Sequence, residues 1–289
     1  MERIQFFYTP MDLSRVQVRP NYDPQNDFLR ILTESDRQKI ELNWKEALKR
    51  TQIWRGELGS LVDTQEGNLQ YAKTDYGVWR AIASPDLHPE YTTLSDLAYD
   101  KFRVSSVGIA VETIDGKVIV HRKPDNVPAG GKLDSSANGF CEVKNGQLDF
   151  GQAAYEKLER ELKLTKEEIL NLELRGVHSV VGKGSYCNSG MLAYHAKTKL
   201  PFEEIKQKAN GSYIADLISV EKGDLANFIV THYADGSLIG DGCATLLASL
   251  DHKDFSIAVH TLRDSGKVIE FGFLRDGEFI PKPLENIVN

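Results

Sequence analysis

A segment near the middle of the chain has the residue types and spacing for phosphate chemistry. Residues 153–164, AAYEKLERELKL, repeat alanine and leucine at helical intervals, which predicts a helix with one buried stripe. Lys157, Arg160 and Glu161 then lie together on one flank, at i, i+3 and i+4. Two of these three side chains are cationic. The flank therefore disfavours Mg²⁺ unless other carboxylates lie nearby, whereas lysine and arginine bind phosphate directly.

A second acidic candidate precedes this helix. Residues 138–142, NGFCE, place Glu142 just after a glycine. Clustered carboxylates hold Mg²⁺ or Mn²⁺, and such an ion neutralises a diphosphate and activates water for its cleavage. Glu161 and Glu142 are therefore the candidate catalytic and metal-binding residues.

The elements around these residues mix strands and helices. β-Branched residues in 104–113 and 117–122 flank an Asp-Gly turn, which predicts a β-hairpin, and glycine and proline in 125–131 predict a loop. This order fits an α/β fold in which helices cover both faces of a mixed sheet, an α/β/α sandwich. The later predicted elements are a helix at 150–164, strands at 176–181 and 191–196, a helix at 202–209, a strand at 216–220 and helices at 225–233 and 242–250.

The two ends of the chain carry further predicted elements. The first hundred residues contain a helix, at 34–50, and a hairpin, at 57–73, so they predict a small α+β domain over residues 1–101. Residues 102–289 form the second domain. In its last part, residues 255–273, apolar and polar residues alternate, which predicts a β-hairpin extension.

The order of these motifs resembles the Nudix hydrolases, whose signature is G, five residues, E, seven residues and REUXEEXGU. In that family, glutamates on one helix flank hold divalent metal ions over a substrate diphosphate. When the alanine pair of the helix is aligned, Glu161 matches a metal-binding glutamate, and Lys157 and Arg160 stand where the other two would be. Gly139 and Glu142 match two positions of the family's G-G-X-X-E. The resemblance therefore implies a Nudix-type sandwich with a degenerate motif.

A second alignment stays open. It places residues 160–162, REL, on the REU of the signature, with Gly146 at the first glycine. The three further acids of the motif are then absent, and the small alanine pair moves out of place. We prefer the first alignment.

A wider similarity, over residues 44–250, is to the Nudix proteins that hydrolyse UDP-sugars. In that subgroup an extra N-terminal domain ends in a T-D-Y segment, like residues 74–76 here, and an N-V…P-G…L loop resembles residues 126–134. The resemblance implies that Arg122 lies near the phosphates. It also implies that Tyr76 either stacks on a base or packs between the domains.

Two main functional hypotheses follow. The first is a Nudix-type pyrophosphohydrolase that uses Mg²⁺ or Mn²⁺ to cleave a nucleoside diphosphate linked to a sugar or another group. The alternative is a catalytically inactive Nudix-fold module that binds a nucleotide or a protein, with Lys157 and Arg160 as phosphate contacts. A third and lesser hypothesis is a purely structural role in a larger assembly.

Composition limits the compartment and the partners. The net charge of -7 disfavours nucleic acid as the main partner, because duplex binding usually needs a basic face. The three cysteines are widely spaced and match neither a disulfide framework nor a zinc site. The first residues have no apolar signal region, and no apolar run approaches a membrane span. We expect a cytoplasmic protein whose partner is a nucleotide or nucleotide-sugar.

Overall fold

The computed structural model describes residues 2–49, 56–83, 94–127, 129–181, 188–209 and 214–282. Its strands are β1 (Arg3–Tyr8), β2 (Arg19–Asp27), β3 (Glu57–Asp63), β4 (Asn68–Asp75), β5 (Val104–Glu112), β6 (Lys117–Arg122), β7 (Leu133–Asp134), β8 (Ala137–Phe140), β9 (Val143–Lys144), β10 (Gln147–Leu148), β11 (Ile169–Val181), β12 (Ser189–Thr198), β13 (Asp216–Glu221), β14 (Val268–Arg275) and β15 (Glu278–Pro281). Its α-helices are α1 (Pro10–Leu13), α2 (Glu34–Leu48), α3 (Tyr76–Ala83), α4 (Asp96–Lys101), α5 (Phe150–Leu162), α6 (Phe202–Lys208), α7 (Leu225–Ala234), α8 (Gly240–Ser249) and α9 (His252–Asp264).

Most of the described strands form one mixed sheet, with the main order β15-β14-β1-β11-β12-β5-β3-β4-β2, and β9 and β10 form a separate pair. Strand β5 is its branch point, because it is long enough to pair with several neighbours. It runs parallel to β12 over its whole length, and β8 pairs antiparallel with its residues 106–109. The end of β5 turns into β6, which confirms the predicted hairpin, and β6 also pairs with β13 and β7.

Helices cover both faces of this sheet. Side chains alternate along β5, so Val107 and Ile109 point to one face and Ala110 to the other. The first face packs against Leu158 of α5, and the second packs against Leu247 of α8 together with α7 and α9. The predicted fold class, an α/β sandwich with a mixed sheet, is therefore confirmed.

The first residues of the chain belong to the same sheet as its centre. Strand β1 lies between β11 and β14, and β3 pairs with β5 at Val104. Arg103, only 1% exposed, joins several of these parts, since its guanidinium donates hydrogen bonds to Gln5, Ser179 and the carbonyl oxygen of Gly277. The division at residue 101 stays a prediction, and strands from both sides of it form one hydrogen-bonded sheet.

The predicted C-terminal hairpin was wrong in its first strand. Residues 255–262 lie within the helix α9, where Phe255, Val259 and Leu262 are buried at helical spacing. The Asp251 carboxylate accepts a hydrogen bond from the Asp254 amide and caps this helix. A β-hairpin does end the described chain, but β14 and β15 form it.

In the described part of the chain, we find no helix with both the length and the apolar character that a bilayer crossing requires. The prolines of residues 84–93 predict a loop, and this segment lies outside the described residues. The glycines of residues 182–190 predict a turn between two strands, and this segment lies partly outside them.

Residues at its own two ends determine where helix α5, which carries the charged flank, begins and ends. The Asp149 carboxylate accepts a hydrogen bond from the Gln152 amide at 2.8 Å, so it satisfies one of the free amides of the first turn. Lys163 adopts a left-handed conformation, with φ of 56°, and ends the helix two residues before the predicted boundary.

Removal of this cap tests how far α5 depends on it. We expect Asp149→Ala to lower the free energy of unfolding by about 1 kcal/mol, because a first-turn amide loses its partner. Asp149→Asn keeps an acceptor at the same place and should stay close to the wild-type value. Urea denaturation followed by circular dichroism measures both. An equal loss in the two variants would show that the carboxylate charge, and not the cap, stabilises the helix.

Candidate functional site

Two hydrogen bonds with Asn138 join α5 to the strand β8. Glu161, 7% exposed, accepts a hydrogen bond from the Asn138 amide at 3.1 Å through one oxygen. Its other oxygen forms an ion pair with the Arg160 guanidinium. Arg160 also donates to the Asn138 carbonyl oxygen at 3.4 Å. The acid predicted to hold a metal is therefore already engaged by two protein donors.

Lys157 passes directly beneath β8. An ideal Cβ on Gly139 would lie 2.9 Å from the Lys157 Cε and 3.3 Å from its Nζ, so a larger residue would crowd the end of this side chain. The φ of 152° at Gly139 is a second reason for glycine, because other residues rarely adopt it. Lys157 is 8% exposed, and it makes no hydrogen bond or ion pair with any residue in the described ranges. Burial lowers its pKa, and the neighbouring Arg160 lowers it further. Glu161 and Glu142 oppose this effect without reversing it.

Four of the six predicted site residues share one cavity. This cavity has a volume of about 340 Å³, and Glu142, Lys157, Arg160 and Glu161 all line it. A second cavity, of about 250 Å³, also has Glu142 and Lys157 in its wall. Lys157 therefore lies in the wall of both cavities.

The other two predicted residues do not line the cavity. The exposed Arg122 donates a hydrogen bond to the Gly131 carbonyl oxygen at 2.7 Å, at the end of β6. Tyr76 packs its ring against those of Trp79 and Phe140, with centroids 5.1 Å and 5.8 Å away. Their contact with a ligand stays a prediction. In the structure Tyr76 supports the two rings that do line the cavity.

Sequence reasoning missed several residues of the cavity wall: Trp79, His121, Ser189 and Asp241. Trp79 lies on α3, a helix that was not predicted. Lys123 follows Arg122 in the sequence, and the resemblance implies a basic residue near the phosphates at this point; Lys123 lines the cavity and Arg122 does not. The buried Asp241 accepts a hydrogen bond from the Ser189 hydroxyl at 2.5 Å, and no sequence pattern joins these two residues.

The described side chains do not fit a divalent metal ion. Within the described ranges, there is no group of three or more histidine, cysteine or acidic side chains placed to hold one. The Lys157 ammonium lines the same cavity as Glu142 and Glu161, where its charge repels a cation. Arg160 compensates the charge of Glu161. Both cations of α5 therefore oppose a divalent metal ion at Glu161 and Glu142.

Comparisons with known proteins give partial similarities only. No family model matches the sequence, and no curated protein matches it. Among solved structures, the protein DR0079 from Deinococcus radiodurans is 14% identical with a TM-score of 0.41, and the match covers 66% of this chain and 96% of that one. The Nudix hydrolase RenU from M. smegmatis is 13% identical with a TM-score of 0.31, over 49% of this chain and 81% of its own. A mutT/nudix family protein from Listeria innocua is 19% identical with a TM-score of 0.34, over 54% and 93%. At these values the similarities carry no inference about activity.

The contact between Gly139 and Lys157 can be tested by a double-mutant cycle. Gly139→Ala should lower the free energy of unfolding by about 1–3 kcal/mol, because the added methyl group overlaps the lysine. In a Lys157→Ala background the same substitution should cost less, since the overlap is gone. Denaturant unfolding measures all four proteins. Gly151→Ala, on the helix that carries Lys157, is the control, because a methyl group there meets no close neighbour. Equal costs of Gly139→Ala in both backgrounds would mean that backbone strain, not Lys157, requires the glycine.

Proposed function

We propose that this chain binds a phosphorylated small molecule of the nucleotide class through Lys157 and Arg160, without a divalent metal ion. The observation that supports this is Lys157, a residue only 8% exposed in a cavity wall, whose ammonium group has no acceptor among the described residues. Burial of an unpaired charge costs several kcal/mol, so such a group is stable only if water or an anion reaches it.

The formal charges around the cavity are balanced, since its wall contains the cations Lys123, Lys157 and Arg160 and the acids Glu142, Glu161 and Asp241. Lys123 pairs with Asp134, so Lys157 is the cation on which the binding of an anion depends. Two of these acids already accept hydrogen bonds from the protein, as described above. A phosphate between Lys157 and Arg160 would receive charge-assisted hydrogen bonds in a partly dry site, where they are strongest.

The size of the cavity and its aromatic wall fit a nucleotide. A volume of about 340 Å³ lies in the range of small-molecule sites. Trp79 and Phe140 line it with ring centroids 4.9 Å apart, and such rings bind flat, apolar groups. The resemblance of α5 to the Nudix helix supports the nucleotide class. The second cavity beside Lys157 would take a sugar or another group linked through the diphosphate.

Hydrolysis is the second candidate, because Glu142 and Glu161 line the same cavity. In that case Mg²⁺ or Mn²⁺ would have to displace Arg160 from Glu161 and share the space with Lys157. The geometry therefore supports binding better than metal-dependent cleavage of a pyrophosphate.

Calorimetry with UDP-glucose and ADP-ribose tests the binding proposal. We expect equal affinity in EDTA and in Mg²⁺, and a loss of about tenfold or more in Lys157→Met, which is at least about 1.4 kcal/mol. Lys253→Met, which removes an exposed lysine on α9, is the matched control and should bind normally. Two results would contradict the proposal: affinity that EDTA abolishes, or phosphate release with Mg²⁺ or Mn²⁺ that Glu161→Gln abolishes.

The pH dependence of affinity is a separate prediction. The protonated Lys157 attracts the anion, and its pKa lies below the usual lysine range because of burial and Arg160. Affinity should therefore be full at low pH and fall as the pH rises through this lowered pKa. Titrations from about pH 7 to about pH 10 measure it, below the usual lysine pKa of about 10.4. Lys157→Met should have no such fall in this range. A wild-type affinity that stays constant throughout would show that Lys157 does not contact the anion.

A further inference from the structure

We propose that His121 accepts a phosphoryl group from the bound ligand, so that the cavity carries out a phosphoryl transfer that needs no metal. This inference rests on the proposed function, because it needs a phosphate held by Lys157 and Arg160. The starting observation is a histidine, 4% exposed, in the wall of the same cavity.

The tautomer of His121 is fixed by a backbone contact. Its Nδ1 lies 2.5 Å from the Ser135 carbonyl oxygen. A carbonyl oxygen only accepts hydrogen bonds, so Nδ1 carries the proton. In the neutral imidazole, Nε2 is then left with its lone pair. The nitrogen with the nucleophilic lone pair is therefore the one that the Ser135 contact leaves unused.

That Nε2 has no protein partner in the described ranges. The contact with Ser135 accounts for the hydrogen bonding of His121 there, although the side chain is buried. Nε2 is therefore open to a ligand, because no other part of the described protein engages it. The side chain belongs to the wall that also contains Lys157 and Arg160, so a phosphate held by these two cations shares the cavity with His121.

The position of the imidazole is rigid. His121 lies on β6, opposite Asp134 of β7, and Ser135 directly follows Asp134. The pairing of the two strands thus fixes the position of the imidazole ring relative to the Ser135 carbonyl oxygen. Reactive groups placed on strands keep their geometry better than groups on loops, and this preorganisation favours direct attack.

The chemical step needs only the ligand and water. The Nε2 lone pair attacks the terminal phosphorus of a nucleoside diphosphate, and an Nε2–P bond forms. The bond from phosphorus to the bridging oxygen breaks, and the nucleoside monophosphate leaves with that electron pair. The Nδ1 proton stays on the ring, against Ser135. Lys157, Arg160 and Lys123 neutralise the phosphoryl oxygens, which is the main requirement for this transfer. Water then attacks the phosphorus, the N–P bond breaks, and inorganic phosphate is released.

The test uses the full chain with uridine 5′-diphosphate in EDTA. The reaction is stopped in alkali, in which a phosphohistidine survives, and the intact mass and the modified peptide are measured. We expect the mass of one phosphoryl group on His121, lost on exposure to acid. His121→Gln should carry none, and Lys157→Met should carry several-fold less. Circular dichroism checks that each variant is folded. Inorganic phosphate is measured in the same samples.

His260 provides the matched control. Its Nδ1 also lies near a backbone carbonyl oxygen, that of Ser256 at 2.8 Å, but it is exposed on α9 and does not line the cavity. It should stay unmodified, and His260→Gln should react like the wild type. Modification of both histidines to a similar extent would mean non-specific chemistry and would overturn the inference.

The remaining outcomes separate this inference from the proposed function. If uridine 5′-diphosphate binds but yields neither adduct nor phosphate, the inference is wrong and the binding function stands. If phosphate is released without an adduct and His121→Gln stops it, His121 acts as a base and the covalent step is wrong. If no ligand binds, both proposals fail.

Discussion

The packing of Lys157 beneath Gly139 is the contact on which the site depends. It brings the ammonium group into the cavity wall while the lysine stem is covered by the strand β8. Hydrogen bonds from the Asn138 amide to Glu161 and from Arg160 to the Asn138 carbonyl oxygen join α5 to the same strand. Burial of a cation without a fixed counterion is unfavourable, and this cost is the physical basis of the proposal that an anion binds there.

The sheet explains why residues so distant in sequence meet around that cation. Strand β5 pairs with β12, β6 and β8, and the last two carry His121 and Gly139 into the cavity. Helix α8 packs on the opposite face and contributes Asp241, which is bonded to Ser189 of β12. The N-terminal part adds Trp79, so it contributes to the cavity wall.

On the alignment proposed from the sequence, Lys157 and Arg160 stand where the Nudix signature has carboxylates, and the two kinds of residue act differently on a phosphate. Carboxylates attract a divalent ion, and the ion then neutralises the ligand. Lysine and arginine neutralise the ligand themselves, without an ion between them and the phosphate. The same helix and the same cavity would then keep their ligand class while the metal becomes unnecessary. A neutral imidazole is compatible with such a site, because the cations supply the charge that attack on phosphorus requires.

Much of the fold could be predicted from the sequence, because the strong signals are local. The periodic stripe of α5, the Asp-Gly turn between β5 and β6, and the β3–β4 pair all occur close to their predicted bounds. Predictions failed where one pattern fits two structures. Residues 255–262 satisfy a helical spacing as well as a strand's apolar content, and packing against Phe271 and the rest of the second core decided for the helix.

The sequence by itself determined the charged flank of α5 and the glycine that accompanies it, because helical spacing alone brings Lys157, Arg160 and Glu161 to one side. Only the tertiary structure decided that the lysine is buried and that Glu161 is taken by Arg160 and Asn138. It also decided that His121, Asp241 and Trp79 join them. Those contacts connect strands and helices far apart in the chain, and no local pattern encodes the distance between two such elements.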